Sequence, residues 1–368
     1  MNIAVAFLKR PMPDAHCAPW PAVSTAAKSA AARDPVATWL AVCCLMVAVM
    51  VALGGLTRLT GSGLSMVEWN PHHVLPPLND ADWREAFGLY QGSPQYKLVN
   101  SHLDLDGFKG IFWLEYVHRL WGRAIGLVFA LPLAWFAVRG LLDRALTLRL
   151  SALLALGAAQ GGLGWFMVAS GLVDRPEVSH YRLAAHLLLA LALLAALTWT
   201  LLDRIRPKPA TYPHGAVARR LYAALAALAV LVMSWGAFVA GLKAGLVHQT
   251  FPLMGADIFP DDGLLMVPAW RNAFENPSAV QYVHRILALT LLLCANLAAA
   301  WAWANRLPGT ILAPMCATAA WLWVQAGLGV ATLLSGVAIP LATLHQTGAV
   351  VLVCLLTWSL HASRQEKA

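Results

Sequence analysis

The chain has 368 residues, of which 59% are hydrophobic and 12% are charged, about half the usual charged share of a globular protein. This composition excludes a disordered chain, a nucleic-acid-binding domain and an ordinary cytosolic enzyme, so no nucleic-acid partner is expected. The formal net charge of +8 is explained below by membrane orientation. The sequence therefore predicts an all-α polytopic membrane protein in a lipid bilayer.

Charge-free runs predict eight transmembrane helices, because about 20 helical residues cross a hydrocarbon core of roughly 30 Å. Five uncharged runs of 20 to 24 residues have this length; they begin at residues 35, 150, 183, 221 and 286. A sixth run, over residues 307–363, is 57 residues long, and Ser335-Gly336 and Pro340 divide it into two helices. The eighth predicted span, roughly Ile111 to Val138, carries four charged or titratable residues in its first half: Glu115, His118, Arg119 and Arg123.

The basic residues predict the orientation. With the N-terminus inside, the cytoplasmic segments hold 15 of the 26 basic residues and only 5 of the 18 acidic residues. The positive-inside rule then puts both termini in the cytoplasm. The first 34 residues have no signal-peptide pattern, and Asp14 and Asp34 interrupt any transit-like sequence. We expect a bacterial inner membrane, with the mitochondrial inner membrane as second choice.

An internal repeat divides the chain into two tandem four-helix bundles. Glu115-Tyr-Val-His118-Arg119 recurs as Gln281-Tyr-Val-His284-Arg285, and Gln160-Gly-Gly-Leu-Gly164 recurs as Gln325-Ala-Gly-Leu-Gly329, at offsets of 166 and 165. The predicted parts are tails over 1–34 and 363–368, halves over 35–202 and 221–362, a cytoplasmic linker over 203–220, and outer loops over 58–110 and 243–283. Because each half crosses the membrane four times, the halves should be related by a pseudo-twofold axis along the membrane normal.

Four histidines occupy equivalent positions in the two halves: His118, His186, His284 and His345. Each lies 17 to 22 residues before the charged residue at the inner end of its span, and therefore about 25–33 Å from the inner boundary. Ionisable residues within a membrane usually have a function. Two imidazoles facing each other in a helical bundle suit a haem iron with two axial ligands, whereas zinc would usually need further protein ligands.

Charged neighbours of these histidines extend the hypothesis. Arg119, Arg123 and Arg285 could pair with haem propionates, although arginines at this depth also reach the interface without a ligand. Glu115 lies three residues before His118 on the same helical face, where the second half has Gln281. This asymmetry suggests that only the first haem reacts, with Glu115 as a general base. The alternative is a surface carboxylate paired with Arg119.

Several segments resemble haem A synthases of the type shared by alphaproteobacteria and mitochondria. They are Gly54-Gly-Leu-Thr-Arg-Leu-Thr-Gly-Ser-Gly-Leu-Ser65, the loop with Trp69 and Pro76-Pro77, Phe108-Lys-Gly-Ile-Phe112, Glu115-Tyr-Val-His-Arg-Leu-Trp-Gly-Arg123, His284-Arg285 and Leu344-His345-Gln-Thr-Gly348. The resemblance covers roughly residues 35 to 362. An outer-loop cysteine pair found in some other bacterial members is absent here.

The resemblance implies oxidation of a methyl group of haem O to the formyl group of haem A, through two hydroxylations and loss of water, for use by cytochrome oxidase. It implies a haem b cofactor between His284 and His345, and the haem O substrate between His118 and His186 with Glu115 near the methyl group. Haem O synthase and cytochrome oxidase assembly factors are expected partners, together with an unknown electron acceptor and a possible second copy of the chain. From the residues alone, a two-haem electron carrier and a transporter stay open.

Overall fold

The computed structural model describes residues 34–68, 75–173, 176–206 and 212–364. Eight long helices, labelled α1 to α8, make up most of this part: Pro35–Leu59, Leu105–Val138, Arg144–Ala169, His180–Ile205, Gly215–Gly241, Pro277–Ala304, Gly309–Leu334 and Ile339–Ala362. Each is long and apolar enough to cross a membrane. The predicted all-α fold with eight spanning helices is confirmed. The two terminal tails lie almost wholly outside the described residues.

Helices α2 to α6 all begin earlier than the charge pattern predicts, and α2 and α6 are the two whose earlier starts shorten the loops over the histidines. Asp104 accepts a hydrogen bond from the backbone N–H of Gly107, so α2 begins at Leu105 instead of near Ile111. The Asn276 side chain caps α6, which begins at Pro277. Charge-free runs mark only the lipid-exposed part of a helix, and capping residues set its true start. The segments between helices are therefore shorter than the predicted loops 58–110 and 243–283, and His118 and His284 lie well inside their helices.

The helices pack in two closed rings. α1 contacts α2 and α4, and α3 completes the first ring between α2 and α4. The second ring is built in the same way from α5, α6, α7 and α8. The rings meet where α4 packs on α5, α1 on α8, and α4 on α8. Apolar residues of both rings, including Leu191, Leu194, Val350 and Val353, form a shared core at this junction.

The segments between α1 and α2 and between α5 and α6 cover the same end of the rings as the four histidines. The first, called outer segment 1 (residues 60–104), contains a 3-10 turn at Ser62–Leu64, a helix at Asp80–Gln91 and a π-helical turn at Tyr96–Asn100. The second, called outer segment 2 (residues 242–276), contains 3-10 turns at Ala244–Leu246, Asp261–Leu264 and Ala269–Arg271 and a short helix at Asn272–Glu275. Aromatic residues anchor outer segment 1 on the first turns of α2: Trp83, Tyr90, Phe108, Phe112 and Tyr116.

Candidate functional site

Each of the four predicted histidines lies against a glycine of the neighbouring helix in its own ring. The pairs are His118 with Gly54, His186 with Gly164, His284 with Gly236, and His345 with Gly329. A Cβ atom added to any of these glycines would lie only 2.9 to 3.1 Å from an imidazole atom. The imidazole rings therefore occupy space that a larger residue would fill, and glycine lets each ring approach the neighbouring helix backbone.

The structure brings the histidines together as two pairs. His118 of α2 and His186 of α4 are close enough to interact electrostatically, and so are His284 of α6 and His345 of α8. Within the described ranges, no three histidine, cysteine, aspartate or glutamate side chains converge as a metal site. Two imidazoles on helices of one ring match the two axial positions of a haem iron better than a tetrahedral metal.

The second pair is fixed by backbone carbonyl groups. Nδ1 of His284 lies 3.1 Å from the carbonyl oxygen of Val232, and Nδ1 of His345 lies 3.2 Å from that of Gln325. Each carbonyl belongs to the residue four positions before the glycine under the ring. With Nδ1–H donating to the carbonyl, each Nε2 keeps its lone pair for a ligand, which is the usual arrangement of metal-binding histidines. The second half therefore fits a resident haem.

The first pair lacks these anchors. Nδ1 of His186 is buried and has no hydrogen-bond partner in the described part of the chain. The Gln160 amide donates to the His186 carbonyl oxygen at 2.9 Å, as Gln325 does to His345 at 2.7 Å. Each amide nitrogen also lies near the imidazole, 3.4 Å from Nε2 of His186 and 3.3 Å from Nδ1 of His345. His118 turns Nε2 toward Gly54. The first half has the same residues as the second, but its imidazole rings lack the carbonyl hydrogen bond at Nδ1 in the described part of the chain.

Glu115 is a buried residue with four hydrogen-bond donors around its carboxylate. It is only 2% exposed. Oε2 accepts from the Ser65 hydroxyl at 2.7 Å and the Met66 backbone N–H at 2.9 Å. Oε1 accepts from Nε and Nη2 of Arg119 at 3.0 and 2.5 Å. The pairing with Arg119 is present, but the carboxylate is not on the surface.

The equivalent Gln281 binds outer segment 2 with the opposite hydrogen-bond polarity. It is also 2% exposed, and its amide nitrogen donates to the backbone carbonyl of His248 at 3.0 Å. Its amide oxygen has no partner among the described residues. Glu115 thus accepts from a backbone N–H of its outer segment, whereas Gln281 donates to a backbone carbonyl. The difference between Glu115 and Gln281 therefore reverses the direction of the hydrogen bond to the outer segment, in addition to changing the charge.

The predicted haem-binding arginines differ in what they contact. Arg119 donates to the Met66 carbonyl at 2.9 Å, and Arg285 donates to the carbonyls of His248 and Leu253 at 3.1 Å each. Both arginines therefore hold the outer segments over the rings. Arg123 makes no hydrogen bond or ion pair with the described residues. The sequence did not single out Ser65, because its contact with Glu115 spans 50 residues and leaves no local pattern.

The fold and the two bis-histidine pairs define a multi-pass membrane protein with two related sites under its outer segments. Residues 37–357 match the family described as "Cytochrome oxidase assembly protein" (COX15-CtaA). The chain is 49% identical over 344 residues to "Heme A synthase" of Rhodospirillum centenum, covering 92% of this chain and 90% of that protein. It is 48% identical over 335 residues to "Heme A synthase" of Paramagnetospirillum magneticum, covering 90% and 94%. The chain belongs to this family of cytochrome oxidase assembly proteins.

Proposed function

We propose that this protein is a membrane oxidoreductase that converts the methyl group of haem O into the formyl group of haem A. The observation that carries the proposal is the difference between the two histidine pairs. The second pair is anchored through Nδ1 for a permanent cofactor, while the first pair is less fixed and lies beside a buried carboxylate. Relatives of nearly equal length named "Heme A synthase" support the same assignment.

In this proposal the first half binds the substrate. His118 and His186 hold the iron of haem O, and Arg123, which lacks a protein partner in the described chain, is available for a carboxylate of the macrocycle. Arg119 acts indirectly by orienting Glu115 and the outer segment. The unanchored rings suit a site that must take up haem O and release haem A, because a ligand that turns over should not be held as firmly as a cofactor.

Glu115 accepts a proton released during oxidation of the methyl group. An ionised carboxylate offers about four acceptor positions, and the four donors occupy them. Ser65 can free one of these positions, since its hydroxyl also lies 3.3 Å from the Ile111 carbonyl oxygen. When Ser65 donates to Ile111, Oε2 of Glu115 has an open lone pair. We therefore assign general-base catalysis to Glu115 and positioning to Ser65.

In the second half, His284 and His345 would hold haem b, and Arg285 fixes outer segment 2 at that end of the ring. When bound, that haem would supply one-electron redox chemistry. This chain contributes the two Nε2 ligands, their anchoring carbonyls and the apolar surroundings. Gln281 stands where the first half has a carboxylate, so this position offers no proton acceptor. This suits a haem that transfers electrons and takes no part in making bonds.

The two rings are related by a pseudo-twofold axis along the membrane normal in our proposal. The contact of α4 with α5 then corresponds to that of α8 with α1, as observed. We further propose a bacterial inner membrane with both termini cytoplasmic, so that both sites lie toward the outer face. Haem O synthase would supply the substrate, assembly factors of cytochrome oxidase would receive the product, and a homo-oligomer would fit the broad exposed apolar surface.

The function is tested by expressing the chain in cells that make haem O but lack their own enzyme for haem A. Haems extracted from the membranes are separated by chromatography. Accumulation of haem A above the empty-vector level supports the proposal. A protein that binds two haems of unchanged structure, with no haem A formed, would instead be a two-haem electron carrier.

A further inference from the structure

Arg58 lies in the last turn of α1, on the side of the helix that faces the first histidine pair. Gly54, four residues earlier, faces Nε2 of His118. Gly55, three residues before Arg58, faces the Gln346 side chain of α8. Residues three and four apart share a helical face, so Arg58 projects from α1 between α2 and α8 and not toward lipid.

The antiparallel pairing of α1 with α2 gives the level of Arg58. Gly122 of α2 faces Met50 of α1, and His118 faces Gly54 one turn further out. The next turn outward brings Arg58 to the level of Glu115. Arg58 is partly buried. It therefore lies one helical turn beyond the imidazole of His118, toward outer segment 1. The carboxylates at the edge of a haem bound to His118 would lie at this level.

Arg58 has no anionic partner in the described part of the chain. It makes no hydrogen bond, ion pair or ring contact there, whereas Arg119 and Arg285 each bind several acceptors. A guanidinium is always charged, and an unpaired charge within a membrane protein is costly. The C-terminal dipole of α1 stabilises a cation only modestly. Arg58 therefore faces the interior of the protein without an acceptor among the described residues. Such a site suits an anion that a ligand supplies.

The second half has no such residue. Arg58 lies four residues after Gly54, and the equivalent position four residues after Gly236 is Ala240. The next cation along the chain, Lys243, lies beyond the end of α5 with a φ of 53° and is exposed. Its backbone turn directs the chain into outer segment 2. The inward-facing cation is therefore a feature of the first half alone.

We propose that Arg58 binds a carboxylate of the haem substrate in the first half, which rests on the proposed function. Iron porphyrins of this class carry two propionate side chains, and arginine pairs with carboxylates through two parallel hydrogen bonds. Arg58 thus fixes the rotation of the macrocycle about its axial ligands. That rotation decides which peripheral group faces Glu115, so Arg58 is a positioning residue.

The test measures haem binding to the purified protein in lipid nanodiscs with its second site already filled. Haem O and its dimethyl ester, in which both carboxylates are blocked, are titrated anaerobically and followed by absorbance. We expect the wild-type protein to prefer the free acid at least about tenfold, and Arg58→Gln to lower affinity for the free acid about tenfold while changing affinity for the ester less than about twofold. Arg58→Lys should restore part of the preference, and Lys243→Gln should leave it unchanged.

Two results would overturn the proposal. Equal weakening of both ligands by Arg58→Gln would show a packing role, and an unchanged preference would show that Arg58 contacts no carboxylate. The spectrum of the haem in the second half reports on folding in every variant. If the wild-type first half takes up no haem O at all, the proposed function fails instead, so the two failures are distinct.

Discussion

Both oxygens of the Glu115 carboxylate are engaged, and Oε1 binds Nε and Nη2 of Arg119 at 3.0 and 2.5 Å. The other oxygen holds Ser65 and the Met66 backbone of outer segment 1. The same side chain therefore closes outer segment 1 over the first histidine pair and, in our proposal, also serves as the base. Opening of this segment would break the two hydrogen bonds that Ser65 and Met66 donate to Glu115.

Replacing Glu115 by Gln should lower haem A formation by about 10²–10⁴-fold, because an amide cannot accept the proton. Haem O or a hydroxylated intermediate should accumulate, and haem b should remain bound. Chromatography of extracted haems measures this. Glu275→Gln, which changes a carboxylate paired with Arg271 in outer segment 2, is the matched control. Haem A at the wild-type level in Glu115→Gln would show that Glu115 only holds outer segment 1 in place.

Removing the Ser65 hydroxyl should slow the reaction without removing either haem. In Ser65→Ala, Oε2 of Glu115 is held by the Met66 N–H alone, so the carboxylate is less well oriented and we expect haem A formation to fall about tenfold or more. Ser65→Thr keeps a hydroxyl and should restore most of the rate. Ser62→Ala, in the same 3-10 turn, is the control. Equal rates for the alanine and threonine variants of Ser65 would refute the positioning role.

The glycines under the second histidine pair should be needed for haem b binding. A Cβ at Gly236 or Gly329 would lie 3.0 or 2.9 Å from the histidine Cε1, and would displace the ring from its carbonyl anchor. Gly236→Ala and Gly329→Ala should lower haem b content and alter its absorbance spectrum. Gly327→Ala is the control on the same helix as Gly329, because its Cβ would meet no atom within 4 Å. Unaltered spectra in the first two variants would mean that the rings are not held there.

A charged cluster at the ends of the helices remote from the four histidines should stabilise the junction of the two rings. Asp203 of α4 accepts from Arg364 at 2.6 Å and from Arg149 of α3 at 2.8 Å, and it lies 3.1 Å from Nε2 of His361 of α8. Asp203→Asn should lower the thermal unfolding temperature by several degrees, corresponding to about 1–3 kcal/mol. Arg220→Gln, at an exposed position on the same side, serves as the control. A shift no larger than that of the control would exclude a role in stability.

The parts of the fold that depend on the length of apolar runs could be predicted from the sequence. The run from residue 35 to 57 predicted α1 almost to the residue, and the histidine repeat predicted which side chains would form pairs. It could not predict the starts of α2 and α6, since capping by Asp104 and Asn276 depends on local geometry. The same limit applies to contacts between distant segments, such as Ser65 with Glu115 and His284 with Val232.

The division of the molecule into a substrate half and a cofactor half is tested most directly by identifying the haems of two purified variants. His118→Leu and His284→Leu each remove one imidazole at equivalent positions of the repeat. We predict that His118→Leu retains haem b with its bis-histidine spectrum but forms no haem A, whereas His284→Leu loses haem b. Loss of haem b from His118→Leu, together with its retention in His284→Leu, would contradict the assignment of the two halves.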